Sequence, residues 1–139
     1  MVISEMGENK NNLKEILRNI KTIALIGAST NHQRDSFKVM KFLIKEGYKV
    51  YPVNPNEINN EILGMKCYSS LEDIEQNIDM VDIFRSKRHV FEITKSAIKK
   101  GIKVIWTQEG IFDESSCRYA EDHGSIFIMD ECPKKILEN

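Results

Sequence analysis

The chain has 139 residues, of which 41% are hydrophobic and 29% charged, and its formal net charge is −1 at pH 7. This size suits one domain with a buried core, and the even charge balance argues against a general nucleic-acid binder, which carries a basic excess. No apolar run approaches the roughly 20 residues of a membrane span, and the polar, acid-bearing start resembles no signal peptide.

Cys67, Cys117 and Cys132 lack paired spacing, so they predict reduced thiols in a cytoplasmic protein rather than a disulfide framework or a zinc site. His32, His89 and His123 lie far apart in the chain, and no metal is expected.

Met1–Asn11 is polar and is expected to fray. Asn12–Asn19 reads as a short helix with Leu13, Ile16 and Leu17 on one face, packing at a sheet edge. Thr22–Gly27 is strand one, nearly continuously apolar, as in a parallel strand covered on both sides. Ser36–Gly47 is a helix with Asp35 or Ser36 as its N-cap and Gly47 as its stop. Lys49–Val53 is strand two, ended by Pro52 and Pro55.

A polar loop, Asn54–Gly64, leads to Met65–Tyr68, expected as strand three at the sheet edge. Ser69 or Ser70 caps a brief helix through Glu75, with Glu72 and Asp73 at its positive end. Then come strand four (Met80–Phe84), a helix (His89–Lys100), strand five (Lys103–Thr107), a helix (Asp113–His123), strand six (Ser125–Met129) and a short tail, Pro133–Asn139.

Alternating strands and helices imply parallel pairing with right-handed crossovers. The expected fold class is α/β, a Rossmann-like three-layer sandwich with a mostly parallel sheet of order 3-2-1-4-5-6. Residues 1–19 form an extension with a short helix and 20–139 the domain. The order reverses between strands one and four, and the crevice above their carboxyl ends is the expected ligand site.

The first loop, Gly27-Ala28-Ser29, joins a strand to a capped helix, which is how an α/β sheet offers backbone N–H groups to a phosphate. Gly27 permits the sharp turn, Ala28 keeps the backbone accessible and Ser29 adds a hydroxyl. Only one glycine of the G-x-G-x-x-G dinucleotide pattern is present, and a plain tight turn is the competing reading. At the end of strand two a dinucleotide site carries an acid for the ribose hydroxyls; here Asn54 follows Val53 and precedes Pro55. Its absence removes a repulsive charge, which a phosphorylated ribose tolerates better.

Arg34 and Arg85 follow strand ends at the crevice and suit phosphate oxygens, whereas Lys38 and Lys41 read as solvated helix residues. Thr107, Gln108 and Glu109 either contact a ligand's amides or adenine or merely end a strand. His32 either lines the site or is a polar loop residue. Cys132 has no neighbouring histidine in sequence, and no catalytic residue is assigned.

Five motifs in order, Ile26-Gly27-Ala28-Ser29, Val50-Tyr51-Pro52-Val53-Asn54-Pro55, Val81-Asp82-Ile83-Phe84-Arg85, Trp106-Thr107-Gln108-Glu109-Gly110 and Asp130-Glu131-Cys132, resemble those of small stand-alone CoA-binding proteins. These are similar to the CoA-binding domain of the succinyl-CoA synthetase alpha subunit. The resemblance runs from about Ile20 to Cys132.

It implies non-catalytic binding of coenzyme A or an acyl-CoA. The loop Gly27, Ala28, Ser29, Thr30, Asn31, His32, with Arg34 beside it, would hold the phosphates. Val53, Asn54 and Pro55 would flank the adenine or ribose, and Phe84, Arg85, Thr107, Gln108 and Glu109 would line the opposite wall. Glu57 and Glu131 depart from the family, standing where relatives carry cations.

The synthetases' further domains have no counterpart expected after Cys132, so catalysis by the isolated chain is not expected. An acyl-CoA enzyme partner or a homodimer is the expected association, with neither nucleic acid nor membrane. The alternatives are an NAD(P)-binding Rossmann domain, either an oxidoreductase or a redox sensor, and a regulatory subunit with a vestigial ligand site.

Overall fold

The structure, a computed structural model, describes residues 10–138. Helix α1 (Lys10–Arg18) turns Leu13 and Leu17 inward, and both are buried. The fraying expected over Met1–Asn11 falls outside the described residues for 1–9, while Lys10 and Asn11 open α1.

From there β1 (Thr22–Ile26), α2 (Asp35–Lys45) and β2 (Lys49–Val53) follow, then a small hairpin of β3 (Glu61–Ile62) and β4 (Met65–Lys66). β5 (Met80–Ile83), α3 (Lys87–Lys99), β6 (Val104–Thr107), α4 (Glu114–Asp122), β7 (Ile126–Ile128) and α5 (Pro133–Glu138) complete the described chain. β2, β1, β5, β6 and β7 form one parallel sheet in that order.

Successive side chains of a strand point to opposite faces, and here both faces are covered. Leu25, Met80 and Trp106 pack under α1, α2 and α5 with Leu17, Met40 and Ile136. Ala24, Val81 and Ile105 pack on the other face with Val90 and Ala97 of α3 and Cys117 and Ala120 of α4. Burial on both sides is why these strands are apolar at almost every position. The α/β, Rossmann-like reading therefore stands, with Asp82 as the polar exception within the central strand.

The outer position expected for strand three is a correction. Met65–Lys66 pairs antiparallel with Glu61–Ile62, and this segment meets the large sheet only through the single parallel bridge between Val53 and Tyr68. Pro52 does not end β2 but lies within it, buried. Its carbonyl faces outward and accepts Tyr68 N–H at 2.9 Å, so the missing proline N–H is lost on the outer edge rather than from the ladder with β1.

The capped helix expected up to Glu75 is only a 3₁₀ turn, Leu71–Asp73. Leu71 and Ile74 are both buried, and the chain becomes extended at Ile74 to keep both on the sheet. The expected tail is helical: Pro133 starts α5 at a position where no N–H is needed, and Ile136 anchors it in the core. Neither Asp35 nor Ser36 caps α2; Arg34 occupies that position without a side-chain bond, and Asp35 already lies in the helix.

Among the described residues no helix is long and apolar enough to cross a membrane.

Candidate cofactor site at the carboxyl edge of the sheet

The sheet order reverses between β1 and β5, and the loops after β1, β2, β5 and β6 meet above that point. Gly27 makes the meeting possible. Its φ is +92°, and a Cβ there would stand 2.5 Å from the Phe84 carbonyl oxygen. Only glycine allows both this backbone region and this approach.

The loop that follows differs from a simple cradle. Gly27 N and Ala28 N both donate to the Val53 carbonyl, at 2.9 and 3.2 Å, so these amides tie β1 to β2 instead of facing a ligand. Thr30 N donates to Glu57 Oε2 at 2.8 Å, Asn31 N to Ser29 Oγ at 2.9 Å and Gln33 N to Asn31 Oδ1 at 2.9 Å. Asn54 closes the loop from the other side: its Nδ2 donates to Ala28 O at 2.8 Å, and its Oδ1 accepts Asn56 N–H at 2.9 Å. The asparagine after β2 is thus a loop clamp.

The open backbone donors lie one step on. Helix α2 begins without a side-chain cap, and its first backbone bond back is Lys38 N to Arg34 O, at 3.2 Å. An uncapped start leaves the first-turn N–H groups, at the positive end of the helix dipole, for an anion.

Those groups border a polar cleft of about 540 Å³ lined by Gly27, Ala28, Ser29, Arg34, Asp35, Ser36, Asn54, Phe84 and Arg85, among others. Asp35, Phe84 and Arg85 also line a second, less polar cavity of about 500 Å³. That cavity runs on past Val39, Gln108, Glu109 and Ile111 to Cys132, Lys134 and Lys135 of the last turn and α5. A third slot, of about 260 Å³, opens on the other side of Arg85 between Ile26, Val53, Pro55, Leu71, His89 and Ile93.

Several charges at these mouths are already paired. Lys135 Nζ lies 2.8 Å from Glu109 Oε1, a bond that raises the lysine's pKa, and Lys134 Nζ lies 2.8 Å from Glu138 Oε2. Arg85 Nη2 lies 3.0 Å from His89 Nε2, which must therefore accept. Loss of hydration, then the Arg85 and Arg88 charges, pull the His89 pKa down.

Below the cavity floor lies Asp82, fully buried on β5. Its Oδ1 accepts from Gln108 Nε2 at 2.6 Å, while Oδ2 is buried with no hydrogen-bond partner. Burial pushes the Asp82 carboxyl up to about 7, against the smaller opposing effect of the Gln108 bond. Gln108 is held by this contact at the cavity wall.

Gly27, Ala28, Ser29, Arg34, Asn54, Phe84 and Arg85 converge on the polar cleft, with Val53 and Pro55 at the adjoining slot and Gln108 and Glu109 at the cavity. Thr107 is a correction: it is fully buried, and its hydroxyl donates to Ile111 O at 2.8 Å, so it shapes the wall from behind. His32 is turned away onto the Phe37 ring, stacked at 4.4 Å, and Thr30 faces Glu57.

Sequence reasoning read Asp35 as a cap and Lys38 as a solvated helix residue and passed over Val39, although their i, i+3, i+4 spacing on α2 places all three on one face, along the cavity. It also missed the α5 wall, where Asp130 sets the turn: at φ +63° it accepts Gly110 N–H at 2.7 Å and brings the β6 and β7 loops together. Among the described residues no group of three or more histidine, cysteine or acidic side chains could hold a metal ion.

Comparison with known proteins finds relatives over most of the chain. A family described as a CoA binding domain matches residues 21–138. The uncharacterized protein YneT of Bacillus subtilis is 35% identical over 126 residues, covering 91% of this chain and 92% of YneT. A hypothetical protein from Pyrococcus horikoshii OT3 superposes with a TM-score of 0.90 at 39% identity, over 99% of this chain and 94% of that one. An ADP-forming acetate–CoA ligase of Methanocaldococcus jannaschii is 37% identical over 83 residues, which make up 60% of this chain but only 12% of the ligase.

Proposed function

Since the chain belongs to the CoA-binding domain family, we propose that it binds coenzyme A or an acyl-CoA as a non-catalytic module. The observation that carries this reading is the uncapped start of α2 opening into a polar cleft that shares Asp35, Phe84 and Arg85 with a less polar cavity. A diphosphate suits the cleft: the first-turn amides of α2 donate to it, the Ser29 hydroxyl adds a donor, and Arg34 and Arg85 supply charge.

The pantetheine arm, with its methylene and gem-dimethyl groups, two amides and one hydroxyl, suits the mixed lining of the cavity along Phe84 and Val39, with the Gln108 carboxamide as its polar contact. The adenosine end lies toward Val53, Asn54 and Pro55. Bound CoA would supply a thiol or thioester for a separate enzyme to act on, in keeping with the relation to ADP-forming ligases.

Titration calorimetry of the folded chain with CoA tests this. A one-to-one complex is expected, weakened about tenfold or more by Arg85→Ala and less by Ser29→Ala, the usual cost of a lost charge-assisted or neutral hydrogen bond. Absence of heat with both CoA and acetyl-CoA refutes it.

A further inference from the structure

We propose that Glu57 sets the ligand's phosphorylation state, so that this site favours a CoA-type ligand whose ribose lacks the additional phosphate over CoA itself. This rests on the CoA-binding reading above.

Glu57 ends the 3₁₀ turn Pro55–Glu57 directly after β2. Its Oε2 accepts from Thr30 N at 2.8 Å and from Thr30 Oγ1 at 3.0 Å, and its Oε1 accepts from Asn60 Nδ2 at 3.0 Å. Both carboxylate oxygens are therefore held, and the side chain bridges the first loop to the loop after β2, joining the residues that directly follow Ser29 and Asn56 of the polar cleft's lining. The Thr30 backbone bond, partly opposed by desolvation and reinforced by the Thr30 and Asn60 side chains, lowers the carboxyl's pKa and keeps it ionised at neutral pH.

The surroundings do not compensate. The cations that line the polar cleft are Arg34 and Arg85, on the first-loop and β5 sides. Residues 54–65 contain no lysine or arginine but carry Glu57 and Glu61, and the next cation, Lys66, lies over the Tyr68 ring at 5.1 Å.

A ligand with its diphosphate at the α2 start and its pantetheine arm in the cavity places its ribose toward this acidic segment. A ribose hydroxyl there meets polar groups, whereas a phosphate monoester, with a charge of about −1.5 to −2 at pH 7, meets a fixed carboxylate. The acid missing at Asn54 thus reappears three residues on, at Glu57. A neighbouring like charge near a surface costs enough to change an affinity about tenfold.

The test measures Kd for CoA and for dephospho-CoA by calorimetry on wild type, Glu57→Gln and Glu57→Lys, each checked for folding by thermal melting. Wild type is expected to bind dephospho-CoA about tenfold more tightly. Glu57→Gln should narrow that ratio by strengthening CoA binding, and Glu57→Lys should reverse it. Equal affinities for the two ligands in wild type, or a ratio unmoved by both substitutions, overturns the inference and leaves the CoA-binding reading intact. Binding of neither ligand to folded wild type removes both.

Discussion

Asp82→Asn should make the protein more stable at pH 8 and nearly neutral in effect below pH 4. An aspartate's ordinary value is 3.8, and burial raises Asp82 to about 7. In the folded state the carboxyl keeps its proton across that interval, while in the unfolded chain it has lost it. The unfolded state therefore binds fewer protons, and stability falls as pH rises from about 4 to about 7 and is flat above.

Three pH units at 1.36 kcal/mol each give an upper figure of about 4 kcal/mol. Asparagine has the same shape, its oxygen can still accept from Gln108 Nε2, and its amide nitrogen would occupy the place of Oδ2, which has no partner either. Other titrating groups are common to both proteins, so the difference between the two curves isolates this carboxyl.

Urea unfolding read by fluorescence serves as the assay, because Trp106 is the single tryptophan and is fully buried. The reasoning is refuted if the stability difference between wild type and variant is the same at pH 4.5 and pH 8, or if wild type is the more stable at pH 8.

Gly27→Ala should cost at least about 2 kcal/mol, since the new Cβ meets the Phe84 oxygen in a backbone region closed to alanine; a melting temperature equal to wild type's would contradict this. The three thiols are all buried, and burial pushes those of Cys67 and Cys132 up. Alkylation of the native protein should therefore be slow, with Cys132, on the cavity wall, modified before the other two and protected by CoA. Peptide mapping that finds Cys67 or Cys117 modified first would place the open cavity elsewhere.

How much of this could be read in advance depends on what each residue answers to. The apolar runs Thr22–Ile26 and Val104–Thr107 declare parallel strands because two covered faces leave no polar position. Gly27 declares its turn because few residues could stand there. Met65–Tyr68 misled because a short run with one bridge to β2 looks, in sequence, like a strand with a full ladder.

Helix α5 was hidden by its length, since six residues show too little periodicity. Thr107 read as a ligand contact because nothing local reveals that its hydroxyl goes to Ile111. Asp82 sat in a recognised motif, yet its burial depends on α2 and α5 closing over one face of the sheet, which only the fold reveals. Glu57 was visible as a departure from the family, but its hold on Thr30 spans 27 residues of chain.

Arg85 borders all three recesses at once. Its guanidinium has one fixed fork of five N–H donors to share among them, so an occupant that draws it toward one recess changes what it offers the other two. Occupants of the three spaces are then thermodynamically linked, each altering the others' affinity by a reciprocal factor. Fragments screened separately for the three recesses should fail to add, and the size of the shortfall or surplus would measure how far one side chain makes them a single binding unit.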